Sequence, residues 1–216
     1  MNDAIMRIAG PALVLAALAG LGACSSTALP RFYTLSSTRQ VANADTASDT
    51  GVREAGLSTL LVGAVEIPQM LDRPQLVRRS AVNRIDVVEY DRWSEPLDAM
   101  IRRTLAEDLP VLVPKSRVLA STLPAVPIDQ TLVVEIACFE ADNAGMVTLE
   151  AQWFVLAERA SVPRLSRRAT IAETAASGEG EAVVAAMSRA LAKFAREVAN
   201  ALAAAPPTPL RPPRTG

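Results

Sequence analysis

From residue 31 onward this chain of 216 residues switches between two hydrophobic periods, and the switches mark its elements. Runs of period two come first. Arg31 to Ser36 (RFYTLS) reads as a short β-type run, and Ser58 to Pro68 (STLLVGAVEIP) as a mostly apolar run closed by proline, like a buried strand. After the turn-like QMLDRP, the runs Gln75–Ser80 and Asn83–Trp93 have hairpin spacing, with Ser80 to Asn83 as the connection. The period then lengthens. Leu97, Met100, Ile101, Leu105 and Leu109 share one face of a helix, with Ser94 as its N-cap and Pro96 near its first turn. Pro110 and Pro114 are expected to stop it.

Three strand-like runs follow: QTLVVEIACFEAD from Gln130, MVTLEAQWFVLAER from Met146 and PRLSRRATIAETAA from Pro163. Turn-prone NAG and ASVP separate them, which predicts an antiparallel meander. A last helix, from about Gly180 to Ala203, gathers Val184, Met187, Leu191, Phe194, Val198 and Ala201 on one face, suited to packing on the sheet. Its other face mixes Glu181, Arg189, Lys193, Arg196 and Glu197, unlike the strongly basic face of a helix lying on anionic lipid. Segregated strands and helices predict an α+β fold, a mixed, mainly antiparallel sheet with two main helices packed on one face. One domain, 31–204, accounts for it. The polar stretch 37–56 reads as a flexible loop and the Pro-rich 205–216 as a disordered tail.

The N-terminus departs from both periods. Ile8 to Ala23 is almost wholly apolar, but it is shorter than the ~20 residues that cross a bilayer, and it ends in small residues. Leu21-Gly22-Ala23-Cys24 is a lipobox-like tetrad, so 1–23 is expected to be a lipoprotein signal peptide, cleaved before an acylated Cys24. Translation from Met6 would give the segment a cleaner basic start than Met1 does. Each acyl chain contributes ~0.8 kcal/mol per buried methylene, so a triacylated cysteine holds a chain at a membrane without a spanning helix. Ser25 follows, rather than an inner-membrane retention aspartate, which points to the periplasmic face of the outer membrane. Residues 24–30 then form a short tether. At ~3.6 Å per residue it reaches roughly 25 Å, so a first strand built into the sheet keeps the domain near the membrane.

Composition narrows the chemistry. Removing 1–23 takes away Asp3 and Arg7, so the formal charge stays at -1, and with two Trp, two Tyr and four Phe no nucleic-acid surface is expected. There is no histidine, which excludes histidine metal sites and the usual serine triads. With Cys24 acylated, Cys138 has no intrachain disulfide partner; its alternation with Leu132, Val134 and Ile136 reads as a buried strand thiol. The carboxylates Glu89, Asp91, Glu95 and Asp98 could make a hydrolase pair, but interleaved Arg84 and Arg92 and the dipole of a helix start account for them better. No catalytic, cofactor-binding or metal site is expected. Arg78-Arg79 and Arg164, Arg167 and Arg168 are local basic patches of the kind that protects sheet edges.

The lipobox, FYTLSS after it, Val62-Gly63, Ile67-Pro68, Leu71-Asp72-Arg73-Pro74-Gln75, Asn83-Arg84 and Asp91-Arg92-Trp93-Ser94-Glu95-Pro96-Leu97 together resemble the PqiC family of ABC-type transport auxiliary lipoproteins. The resemblance is strongest from Val62 to Leu109 and beyond Gln130 rests on the strand and helix pattern alone. It implies a non-enzymatic outer-membrane lipoprotein of an envelope lipid-transport system. Such a subunit works with an MCE-domain transport protein, in many systems coupled to an ABC transporter, with a homo-oligomeric ring as one form of assembly. Arg73 and Trp93 are then candidate partner contacts, although Trp93 is better suited to the core. The competing reading is a free-standing periplasmic lipid carrier, which needs a cavity for acyl chains.

Overall fold

The computed structural model describes residues 29–38, 58–114, 116–123, 126–158 and 160–205. The signal segment, Cys24, residues 39–56 of the expected loop and the tail beyond Ala205 lie outside the described residues. The elements run β1 (Arg31–Tyr33), β2 (Ser58–Glu66), β3 (Gln75–Ala81), β4 (Arg84–Trp93), α1 (Leu97–Leu112), β5 (Ser116–Leu119), β6 (Gln130–Asp142), β7 (Met146–Ala157), β8 (Leu165–Thr174) and α2 (Gly180–Ala204). All eight strands join one mixed sheet. Long antiparallel ladders link β6, β7 and β8, as the meander predicted, and β3 with β4 forms the expected hairpin.

β6 organises the sheet. One edge carries β7 along its whole length; the other carries β2 at Gln130–Glu135 and β3 at Ala141–Asp142, both parallel to it. β5, too short to stand out in the sequence, pairs in parallel outside β2, and β1 pairs in parallel outside β4. One face of the sheet is buried. Leu132, Val134, Ile136 and Phe139 of β6 and Val147, Leu149, Trp153 and Val155 of β7 meet Met187, Leu191, Phe194 and Val198 of α2 and Met100, Ile101, Leu105 and Leu109 of α1. Burying each such side chain contributes about 1.5–3 kcal/mol, so this layer holds most of the stability.

Several expectations need correction. The first strand stops at Tyr33: Ser36 N–H donates to Ser188 Oγ at 3.1 Å and Leu35 is buried, so the chain leaves the sheet to cross the helices. The expected loop does not begin at Ser37, which is buried, or at Thr38, whose N–H and Oγ1 both donate to Asp108 Oδ1 at 2.7 Å. Pro96, not Ser94, stands at the N-cap of α1, which starts at Leu97 with no side-chain cap; the Ser94 hydroxyl lies two residues earlier and faces Met100 Sδ at 3.9 Å. Pro110 lies inside α1, in its last turn, where only the bond to the Ala106 carbonyl is lost; the helix ends with Val113 N–H on Leu109 O at 2.8 Å. A bulge between Ile136 and Cys138 moves Phe139 and Ala141 into the core register and leaves Cys138 half-buried on the other face, opposite Glu150.

Candidate functional site

β1 is three residues long, yet it is locked in place by charge. Asp91 of β4 is 1% exposed, and its Oδ1 accepts Arg31 Nε at 2.8 Å and Arg31 Nη2 at 2.7 Å. Its Oδ2 faces the first turn of α2, where a Cβ on Gly180 would stand 2.5 Å from that oxygen and 2.7 Å from the Tyr33 hydroxyl. Only glycine fits there, and the positive end of the α2 dipole lies against the carboxylate. Hydrogen bonding to Asp91, then its charge, raises Arg31 above the ordinary guanidinium value; burial, then the Asp91 charge, pushes the Tyr33 phenol up. With Tyr33 O on Ser94 and Thr38 on Asp108, this clasp ties the start of the domain to β4, α1 and α2.

Beside the clasp runs an open groove of about 990 Å³ between Phe32–Thr38 and one side of α2. Phe32, Val184, Ala185 and Ala192 give it apolar walls. Glu173 stands on its rim, accepting Arg189 Nε at 3.1 Å and paired with Lys193 Nζ. Lys193, then Arg189, holds the Glu173 carboxyl below the usual carboxylate range against the opposing effect of burial. The volume is at the upper end of ~300–1,000 Å³ ligand sites, but the space lies outside the helix–sheet layer. Inside that layer, the void among Leu71, Trp93, Phe139 and Met187 measures about 10 Å³, room for no more than a water.

The residues singled out in the sequence fall apart from one another chemically. Trp93 is 6% exposed and belongs to the core, while Arg73 is exposed in the turn after β2. The two are nonetheless neighbours in the backbone, since Trp93 N–H donates to Pro74 O at 2.7 Å. The carboxylates form no catalytic pair: Asp91 serves the clasp, Glu89 binds Arg92 at 3.1 Å and Glu95 binds Arg103 at 2.6 Å. Burial, then Glu140 and Glu150, pushes the Cys138 thiol up to about 11, the opposite of an activated nucleophile. Among the described residues no group of His, Cys, Asp or Glu could hold a metal ion, and no helix is long and apolar enough to cross a membrane. Sequence reasoning missed the clasp because Arg31, Asp91 and Gly180 are far apart in the chain; the glycine opening a strongly periodic helix was its one local signal.

The sequence pattern of the ABC-type transport auxiliary lipoprotein component family matches residues 33–199, from the last residue of β1 almost to the end of α2. The chain belongs to this family. The match begins within the clasp and takes in every element after β1, so the auxiliary lipoprotein fold is the whole sheet with its two helices. The family is one of lipoprotein components of transport systems, in agreement with the resemblance read from the lipobox and the Val62–Leu109 region. Two solved structures share the fold. An uncharacterized protein superposes with a TM-score of 0.66 at 18% identity, covering 81% of this chain and 99% of its own. Protein XCC0632 from Xanthomonas campestris gives 0.57 at 19% identity, covering 78% and 92%. No curated protein matches.

Proposed function

We propose that this auxiliary lipoprotein is the non-catalytic outer-membrane subunit of an MCE-type envelope lipid-transport system, acylated at Cys24 and facing the periplasm. The observation that carries the reading is the family match over 33–199 joined to the lipobox ending at Cys24. The clasp supports it: a strand that starts seven residues after the acylated cysteine is fastened to three other elements, so pulling on the anchor loads the whole domain. Arg73, exposed at the edge where Pro74 meets Trp93, is a contact for the MCE-domain partner or for a neighbouring copy in a ring. Through that bridge the subunit contributes to membrane integrity. The test is a crosslinking pull-down from intact envelopes, comparing the native chain with an exported Cys24→Ala form. Recovery of an MCE-domain protein, weakened in the unacylated form, is expected.

The carrier reading has one observation in its favour, the open groove beside α2. Lipid co-purifying with the protein while no MCE-domain protein is crosslinked would favour it over the auxiliary subunit.

A further inference from the structure

The direction in which the chain enters β1 orients the domain on the membrane. β1 runs parallel to β4, with Arg31 beside Asp91 and Tyr33 beside Trp93. The strand direction therefore leads from Arg31 back through Pro30 and Leu29 to the side of Tyr90, the side of the β3–β4 turn. Leu29 and Pro30, the last described residues on that path, are both exposed. At ~3.3 Å per residue the turn lies roughly 23 Å beyond Arg31, and the tether 24–30, fully stretched, reaches roughly 25 Å. An acylated Cys24 can thus rise about level with the turn and no further, and any slack brings the turn closer to the lipid.

What the turn presents fits that position. Ala81 pairs with Arg84 across it, and Val82 at its tip is 86% exposed. Arg79 curls over the tip, donating Nη1 to Val82 O at 3.0 Å and pairing with Glu140; Arg84, beside it, donates Nε to Asp86 Oδ1 at 2.8 Å. With five N–H donors each, both guanidiniums keep donors for phosphate oxygens. Asn143 Nδ2 donates to Ser80 O at 3.2 Å, joining the tip to the β6–β7 turn, where Met146 is exposed. Exposed apolar side chains with arginines at the same tip, at the end within reach of the tether, match a headgroup surface better than open water.

We propose that the β3–β4 tip, Val82 with Arg79 and Arg84, together with Met146 at the adjoining β6–β7 turn, is a membrane-contact element that seats the domain on phospholipid headgroups. The inference rests on the acylation of Cys24 and goes beyond it by fixing which end of the domain faces the lipid. The opposite end, with exposed Val162 in the β7–β8 connection, then points into the periplasm.

The test uses the full-length acylated chain in phosphatidylethanolamine–phosphatidylglycerol vesicles, with an environment-sensitive fluorophore on Val82→Cys, on Asn83→Cys or on Val162→Cys. Cys138, a half-buried free thiol, is replaced by serine in all three variants so that each carries one label. Severalfold stronger quenching by lipid-borne quenchers at 82 and 83 than at 162, reduced by Arg84→Glu, is expected. An acylated, vesicle-bound chain with all three labels equally in water would overturn the membrane contact and leave the anchor standing. Intact mass showing no acyl chains would overturn both.

Discussion

The meander β6–β7–β8 with α2 and the wing β1–β4–β3 belong to one sheet but are held by different forces. In the meander, Leu132, Val134, Leu149, Trp153 and Phe194 are fully buried, and antiparallel ladders, shifted at the bulge after Ile136, run along strands of at least ten residues. In the wing, β1 pairs over three residues, β3 meets β6 over two, and the lock is the buried carboxylate of Asp91 against Arg31 and the start of α2. Apolar burial is non-directional and adds up over area; a charge clasp is local and depends on each group being present. The scaffold therefore resides in the meander, and the wing depends on a few specific contacts that fasten the start of the domain.

Perturbations of unequal size separate the two regions. Phe194→Ala removes a fully buried ring from α2 and is expected to cost about 3–5 kcal/mol, seen as a lower urea midpoint for the whole domain. Gly180→Ala drives a methyl against Asp91 and Tyr33; a smaller loss of about 1–3 kcal/mol is expected, with β1 amides exchanging faster than those of β7. Equal acceleration across β7 would mean that the clasp and the meander are one cooperative unit.

Titrations sharpen the contrast further. Glu173 is held below its unfolded value of ~4.3, so its stabilisation is complete above that pH and is lost as pH falls through the lower folded value. Glu173→Gln should flatten the acid limb of the stability profile slightly, because Arg189 and Lys193 are half-exposed and solvent screens the pair. The smallest effect belongs to Cys138. Raised from 9.0 to about 11, its thiol favours the folded state below the unfolded value, and that advantage fades as pH rises toward 11. Native-state labelling of Cys138 should stay slow at pH 8 and accelerate only toward that limit; rapid labelling at neutral pH would contradict the half-buried position beside Glu140 and Glu150.

The meander and α2 were legible because each repeats one short period against one buried face, and the hairpin because its turn is local. Neighbour choice was not: nothing in STLLVGAVE or QLVRRSA says that both strands lie parallel on the same edge of β6. The bulge after Ile136 was hidden because one extra residue reverses every side chain beyond it, sending Cys138 out and Phe139 in. Pro110 misled because a proline in the last turn forfeits a single bond rather than breaking a helix. The clasp lay beyond any window, joining residues 60 apart in the chain.

The most direct measurement is the mass of the N-terminal peptide of the mature protein from envelopes. The expected mature chain begins at Cys24 and carries a diacylglyceryl group on its thiol and an acyl chain on its amine. A mature chain that begins elsewhere, or whose Cys24 thiol is free, would contradict the anchor on which the wing's role depends.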